Sequence, residues 1–350
     1  CWTMASDTAG RYGLSKVQAG FERTPGTGVA ATFIWRGTAS HIDDQRAPVE
    51  VNESIGIFGG ADRSYIAKLL AQLVLNETEA TYEQLPYPFV MMFGMNKTGV
   101  ADGSGSSGYV YTANIPEGAA PTMTGRFMTW ETGDDVQAHE LEYAHCLEIN
   151  LKGTGGEAVM MTATLQGRQS TRATFTAALT LEEVEEILAS KGSLYIDAIG
   201  GSYGSTQISQ QLLAFDITFK AMWVPKYTLD GQLYFTFVHY TGHEITGSLT
   251  FEHDTTSIIG SGDQIDKWRD QTAQKMRLQF LGDALGTAGT GTLFSGFKGL
   301  RIDLPFKWTR FEPVGEQDGN SIIVANFKSR YNATAGDSGS IIIVNEVDAL

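Results

Sequence analysis

Cysteine is almost absent from this chain of 350 residues, in which Cys1 and Cys146 are the only two. Two cysteines cannot build a disulfide framework, and neither lies in a CxxC metal pattern. Such usage suits a reducing cytoplasm. The start, CWTMASDTAGRYG, lacks the apolar stretch of a signal peptide, and Met4 stays open as an alternative start. No run approaches the roughly 20 apolar residues of a membrane span, so we expect no membrane anchor.

Basic residues are also scarce. The chain has 25 Lys and Arg against 40 Asp and Glu, which gives a net charge of -15. Proteins hold phosphate backbones through Lys and Arg that displace counterions, so this surface would let nucleic acid pass without binding it. Proline is low at 9 and glycine high at 40, with 42% hydrophobic residues, as in turn-rich globular β proteins. The length suffices for one large or two ordinary domains.

The clearest pattern is a period of two on both sides of a glycine-rich turn in mid-chain. Apolar and polar residues alternate over 141–152, and the alternation resumes over 159–166. This spacing is typical of strands with one buried face, and the glycines at 153–156 favour a turn between them. We predict a long β-hairpin over 141–166, whose apolar face must be covered by another part of the chain or by a neighbour.

Helical features are confined to three segments. Residues 180–190 combine an apolar stripe with a capping box that begins at Thr180. Residues 262–275 place two large apolar side chains on one side, and 78–94 begins like a helix that its two prolines must kink or end. Strand-like runs cover 31–36, 49–58, 109–113, 193–199, 211–222, 233–240, 244–252, 300–304, 321–331 and 340–344, while 67–75 fits either type.

Both halves of the chain share one gross order of elements, namely strands, a helix and more strands. We therefore expect a mainly β protein whose fold is duplicated within the chain. Residues 1–30 are small and polar, and we interpret them as an extended N-terminal arm.

One motif suggests catalysis. Residues 336–339 read Gly-Asp-Ser-Gly, and His41, Asp102 and Ser338 follow the chain order of a chymotrypsin-like triad. However, Ser338 lies too close to the C-terminus to be followed by the strands of a substrate pocket, and nearly the whole chain separates it from His41. We interpret the motif as a turn before the last strand. A secreted serine protease stays open as one class of function because of this motif.

Metal ligands are densest at 139–146. The HExxH spacing fails there because Tyr143 stands where the second histidine is needed. On a strand, His139 and His145 would lie about 20 Å apart, too far to share one ion. The glycine-rich segments 153–156 and 286–291 lack the lysine of a phosphate loop. We predict no catalytic, cofactor or metal site, although the cluster contains His139, Glu140, Glu142, His145 and Cys146.

A polar loop over 99–108, GVADGSGSSG, has no apolar periodicity and reads as a flexible hairpin tip. A flexible loop and arm make sense if they become ordered against another subunit. Long hairpins also leave edges that another strand must cover. We predict that this loop contributes to assembly and that deleting it blocks assembly without preventing folding. The candidate residues are Gly99, Asp102, Gly103, Gly105, Gly108, Tyr109 and Tyr111.

Residues spread along most of the chain follow one further pattern. They are Gly28, Ala31, Thr32, Glu53, Ser54, Ile55, Gly56, Gly59, Gly60, Arg63, Ser64 and Tyr65, followed by Leu85, Pro86, Gly94, Leu141, Glu142, Tyr143, Ile343, Val344 and Asn345. In this spacing the chain resembles the phage tail tube proteins, which are the major tail proteins of long-tailed phages.

The resemblance implies a β-sandwich or half-barrel fold with a flanking helix in each half. The first tube-like domain would span 31–170 and the second 171–350. Subunits of this family close into rings, and the rings stack into a tube with a commonly acidic bore. Two tube domains per chain imply trimeric rings that imitate a hexamer, with hexameric rings as the other arrangement.

The expected function is therefore that of a structural, non-enzymatic virion protein of the tail, assembled in the host cytoplasm. DNA would pass through the tube without specific binding, and other tail proteins would join the tube ends. The alternative is a different β-rich virion protein, of baseplate or fibre type, that binds a host surface glycan.

Overall fold

The computed structural model describes residues 11–59, 62–253 and 263–350. Strands make up 51% of the chain and helices 6%. The predicted mainly β fold is confirmed, with large antiparallel sheets and two short helices in a β-sandwich-type arrangement.

The elements are named in chain order. The strands are β1 Lys16–Phe21, β2 Phe33–Ile34, β3 Asp43–Asp44, β4 Pro48–Glu50, β5 Ser64–Ile66, β6 Ala71–Glu79, β7 Val100–Ala101, β8 Tyr109–Asn114, β9 Met128–Gly133, β10 Ala138–Thr154, β11 Met160–Gly167, β12 Ser170–Ala173, β13 Gly192–Ala198, β14 Gln207–Ile208, β15 Leu212–Lys226, β16 Phe237–Glu252, β17 Gln274–Ala284, β18 Phe297–Phe311, β19 Gly315–Gln317, β20 Asn320–Ser329 and β21 Ser340–Asn345. The helices are α1 Pro86–Phe93 and α2 Asp263–Arg269, and short 3-10 turns span Tyr12–Leu14 and Ala189–Lys191.

The long hairpin predicted in mid-chain is confirmed as β10 and β11. The single continuous face predicted for β10 is wrong, because its register shifts twice. Tyr143, at the first shift, has a φ of 56°. A bulge of this kind inserts an extra residue and bends the strand. Between the two shifts the alternation is displaced by one residue, so Cys146 is buried while Leu147 is partly exposed. Beyond the second shift it returns, and Ile149 and Leu151 are buried.

Both halves of the chain follow one pairing scheme. In each half a long bent strand, β10 or β18, leaves one layer and enters the other, pairing with different neighbours along its length. Helix α1 follows β6 as α2 follows β16. The antiparallel pairs β1–β2, β1–β9, β9–β10, β10–β12, β10–β11, β6–β11 and β3–β6 correspond in order to β13–β14, β13–β17, β17–β18, β18–β21, β18–β20, β16–β20 and β15–β16. The fold is therefore duplicated, with one short helix per half.

The two halves are joined edge to edge. The C-terminal part of β10 has β11 on one side and β15 on the other, from Glu148 opposite Lys220 to Thr154 opposite Ala214. One continuous ladder results, in the order β3-β6-β11-β10-β15-β16-β20-β18. Because both halves share this ladder and one apolar core, the domain boundary between residues 170 and 171 stays a prediction.

Helix α1 is buried along its whole length, and its two prolines lie in the first turn. Proline is tolerated there because the N–H groups of a first turn have no partner within the helix. Gly94 ends the helix with a left-handed φ of 71°. The helix predicted to begin near 78 was therefore wrong, since 71–79 is β6 and the prolines start the helix instead of breaking it. The second predicted helix, over 262–275, was too long. α2 ends at Arg269, and residue 262 lies outside the described residues.

The helix predicted over 180–190 does not form. The segment is extended, and the amide of its buried Ile187 donates to the Ala80 carbonyl at 2.8 Å. The Ile187 carbonyl in turn accepts a bond of 2.7 Å from Val159. These bonds connect the ends of β6 and β11, and together with the burial of Ile187 they outweigh the local helical propensity.

Two expectations about the N-terminal region were also wrong. Residues 16–21, assigned to an extended arm over 1–30, form β1 between β2 and β9, where Ala19 is fully buried. Residues 1–10 lie outside the described part of the chain. The strand predicted over 49–58 is limited to β4, which ends at residue 50. The predicted runs 233–240 and 244–252 merge into the single strand β16.

Candidate assembly surface

Each end of the ladder is an edge that has no strand partner within the described residues. Residues 310–316, at the end of β18 and the start of β19, bond to β20 on one side. Residues 38–45 run along β6, and their other side carries no strand. The free N–H and C=O groups of such edges are ready to pair with another chain.

The pairing scheme makes these edges counterparts of the strands that join the halves. Strand β18 corresponds to β10, and 38–45 corresponds to the part of β15 that faces β10. At this internal junction, Lys220 Nζ lies 3.0 Å from Glu148 Oε2. Beyond the end of β10, the Gly155 amide donates to the Leu213 carbonyl at 2.9 Å. The junction therefore shows how such an edge can be covered.

The outer face of the continuous ladder is mainly polar, whereas the opposite face packs into the core. Side chains stand in rows across it, such as Asn150 opposite Thr162 and Thr218. Asn150 donates to the Thr218 hydroxyl at 3.0 Å. We call this surface the polar sheet face. It comprises Gln72, Val74, Glu148, Asn150, Lys152, Met160, Thr162, Thr164, Asp216, Thr218, Lys220, Glu244, Thr246, Ser248, Thr250, Asn326 and Lys328.

The polar sheet face carries three lysines and three acidic side chains, and Glu77 beside Lys152 adds a fourth carboxylate. Lys152, Lys220 and Lys328 each form an ion pair with a glutamate. The Asp216 carboxylate accepts a hydrogen bond from an asparagine amide. Each lysine of the face is thus paired, so the face presents no free cationic group to a polyanion.

A cluster of four carboxylates lies beside this ladder in the first half. Glu22 and Glu131 are buried, and Glu140 and Glu142 project from the same side of β10. Burial, followed by the negative charges of Glu142, Glu131 and Glu22, raises the pKa of Glu140 to about 7. Burial also raises the pKa of Glu22. This part of the molecule therefore responds to pH near neutrality.

The hairpin of β4 and β5 ends in an exposed apolar tip. Ile55 and Ile57 are 58% and 60% exposed, and Phe58 is fully exposed. Residues 60 and 61 lie outside the described part. Adjacent large apolar side chains in contact with solvent mark interaction surfaces.

The loop predicted to act in assembly is bound to the second half of the chain. Asp102 is 1% exposed, and its Oδ1 accepts a hydrogen bond of 2.9 Å from the Leu293 amide. Ser104 and Thr290 exchange backbone hydrogen bonds of 2.9 and 3.0 Å. A Cβ added at Gly103 would lie 2.3 Å from the Thr290 carbonyl oxygen, so this contact needs glycine. The prediction of a flexible loop was wrong, because these bonds hold it in place.

The remaining candidates of this loop lie in the same hairpin. Tyr109 pairs with β7, and Tyr111 is fully buried with its hydroxyl bonded to the Val347 carbonyl at 2.6 Å. Gly99 donates to the C-terminal segment, and Gly108 approaches Leu285. At the tip, a side chain added at Gly105 would meet open space. The tip at Gly105 is thus the part that another copy can reach.

The three residues that follow the chain order of a protease triad, His41, Asp102 and Ser338, have different neighbours. The Ser338 amide donates to Glu117, Asp102 is bonded to Leu293, and His41 lies in a groove beside Trp35.

Within the ranges that the structure describes, no group of three or more His, Cys, Asp or Glu is arranged to hold a metal ion. His145, one of the cluster considered from sequence, is fully buried, and burial lowers its pKa to about 4. Helices of membrane-spanning length and apolarity are also lacking among the described residues.

No protein-family model and no curated protein matches this chain. We therefore infer function from the two open edges, the polar sheet face and the exposed apolar tip. Sequence reasoning missed the edges at 38–45 and 310–316. The alternating Thr and Ser residues of β11 and β16 were the available signal for the polar sheet face.

Proposed function

We propose that this chain is a structural protein of a phage tail tube, whose copies pair edge to edge into stacked rings. The internal junction carries the proposal. It pairs two equivalent halves through β10 and β15, while the counterpart edges at 310–316 and 38–45 have no strand partner within the described residues. Repeating the junction between copies covers both edges. A head-to-tail contact of this kind forms a ring when its rotation closes.

Charge supports this pairing of the two edges. At one edge, Arg310 is 64% exposed and pairs with Glu312 of its own chain. At the other edge, Asp43 and Asp44 are exposed, and Asp44 pairs with Arg46. When the internal register is repeated between copies, Arg310 lies near both aspartates. At the internal junction, Glu148 holds the place of Arg310 and faces Lys220. The contact between copies thus brings a basic residue of β18 to acidic residues of the other edge. The internal junction instead brings an acidic residue of β10 to a basic residue of β15.

The proposed ring contains three chains, which supply six equivalent halves. Its continuous ladders place the polar sheet face on the wall of the bore. A hydroxyl-rich wall whose lysines are all paired with glutamates gives DNA no free cluster of Lys and Arg to bind, so DNA passes without specific contacts. The exposed tips at 55–58 and at Gly105 are the proposed contacts between stacked rings. Other tail proteins join the ends of the tube, which is assembled in the host cytoplasm and becomes part of the virion.

Negative-stain electron microscopy of the purified protein tests this function. The expected result is rings and tubes with a constant bore. Discrete particles that lack a bore and bind glycans would favour the baseplate or fibre alternative. A protein that stays monomeric at high concentration would contradict the proposal.

A further inference from the structure

The tip of the β10–β11 hairpin docks on the second half of its own chain. It contributes Gly153 and Gly155 to the lining of a groove of about 240 Å³ between β13, β15 and β17. A Cβ added at Gly153 would lie 2.6 Å from the ring of Phe215. The absence of a side chain therefore lets this hairpin approach the groove closely.

The first half has the corresponding groove, and among the described residues no hairpin lies on it. The groove has a volume of about 290 Å³ and lies between β1, the segment after β2 and the end of β9, which are the counterparts of β13, β14 and β17. Its lining comes from residues 13–41 and 132–133, and includes Lys16, Trp35 and His41. The Trp35 Nε1 group is buried and has no hydrogen-bond partner among the described residues.

The counterpart of the docked tip is the turn between β18 and β20. Glu148 is the first paired residue after the register shift of β10, and Arg310 is the first after that of β18. Gly153 and Gly315 each lie five residues further along the chain, so they are counterparts. The turn at 315–320 reads GEQDGN, and all of it is exposed. It presents the carboxylates of Glu316 and Asp318. The groove of the first half is lined by His41 and by Lys16, whose ammonium lies 4.4 Å from the ring centre of Phe175.

We propose that the β18–β20 tip of one copy docks in the groove of the next copy formed by Lys16, Trp35 and His41. This inference rests on the self-assembly proposed above and assigns its contact residues. Gly315 takes the place of Gly153 and lets the tip approach the main chain at 39–41. Glu316 and Asp318 then face Lys16 and His41 across the groove. The internal docking of Gly153 on Phe215 supplies the geometry, and the opposite charges select a second copy of this chain.

Cross-linking with a water-soluble carbodiimide tests the contact directly, because this reagent joins a lysine amine to a carboxylate with no spacer. We would assemble an equal mixture of unlabelled and ¹⁵N-labelled protein and analyse its peptides by mass spectrometry. The expected product links Lys16 to Glu316 or Asp318 in mixed-isotope pairs. Assembled particles without this link, or with the link in single-isotope pairs alone, would overturn the docking.

Charge reversal provides the second measurement. Lys16→Glu and Glu316→Lys should each raise the concentration needed for assembly at least about tenfold, because like charges then meet in the groove. The double variant should recover most of this loss. Glu157→Lys changes an exposed acid on the tip that docks within the chain, and it should assemble normally. Thermal melting of each variant checks the fold, and Glu316 is exposed enough that its replacement leaves the fold intact.

The outcomes separate the two proposals. If the unmodified protein does not assemble, the proposed tube function and this docking both fail. If it forms tubes, but both single reversals assemble normally and the cross-link is absent, the docking alone is wrong.

Discussion

Arg168, in the first half, ties together three distant segments of the chain, one of which lies in the second half. Its guanidinium donates to the carbonyls of Gly26, Phe235 and Thr236 at 3.2, 3.0 and 2.9 Å. It also lies 4.6 Å from the ring centre of Tyr143, at the bulge of β10. A planar guanidinium can make these contacts at once, whereas an ammonium cannot keep the same fork of donors.

We therefore expect Arg168→Lys to lower the free energy of unfolding by about 1–3 kcal/mol, because buried carbonyls lose their donors. Urea denaturation of the unassembled protein measures the change. Arg172→Lys, at an exposed position of β12, is the matched control and should have little effect. Equal stability of Arg168→Lys and the unmodified protein would show that these bonds contribute little.

Glu140 predicts a pH dependence of stability. Its pKa is about 7 in the folded chain, raised from 4.5 by burial and by neighbouring carboxylates. Below about pH 4.5 the group is protonated in both the folded and unfolded states. As pH rises from 4.5 to about 7, the unfolded chain loses the proton first, so stability falls across this window and then levels off.

Glu140→Gln should remove this loss. The difference in melting temperature between Glu140→Gln and the unmodified protein should grow from pH 4.5 to 7 in favour of the variant, and stay constant above. Glu157→Gln, at an exposed site, serves as the control and should show no such trend. A difference that does not change with pH would mean that Glu140 ionises like a solvated carboxylate.

At the scale of elements, the apolar tip of the β4–β5 hairpin makes a prediction about assembly. Replacing Ile55, Ile57 and Phe58 by serine should leave the melting temperature nearly unchanged, because these side chains already contact solvent. The same replacements should reduce the assembled fraction in sedimentation, because the contact between copies loses its apolar surface. Leu181→Ser, another exposed apolar position, is the control. Unaltered sedimentation of the triple variant would exclude the tip from assembly.

Sequence patterns predicted some elements well and others poorly, for physical reasons. The hairpin at 141–166 was predictable because one face of each long strand is buried, which enforces a period of two. The segment 180–190 has an equally clear helical period, yet Ile187 gains two backbone bonds to distant strands as an extended chain. Local patterns contain no information about such partners.

The candidate surface was less predictable than the fold. The loop around Asp102 was identified because glycine and serine mark a hairpin tip, but its bonds to Leu293 and Thr290 join segments almost two hundred residues apart. The edges at 38–45 and 310–316 are recognised as the counterparts of β15 and β10 through their pairing registers. Those registers depend on which strands meet, and composition does not specify this.

At the scale of the whole molecule, the duplicated fold explains how one chain can present both sides of a contact. The internal junction of β10 and β15 joins one half to the other, and the two ends of the ladder are the counterparts of these two strands. Adding a second copy therefore extends the ladder by the same step. The polar sheet face stays on one side throughout, so each added copy enlarges a single continuous polar wall.

Hydrogen–deuterium exchange of assembled and dissociated protein tests this pairing most directly. The backbone amides of 38–45 and 310–316 that point away from β6 and β20 should exchange rapidly in the dissociated chain and become protected on assembly. Those of 214–220, already paired with β10, should be protected in both states. Rapid exchange at 38–45 and 310–316 in fully assembled particles would contradict the edge-to-edge ring.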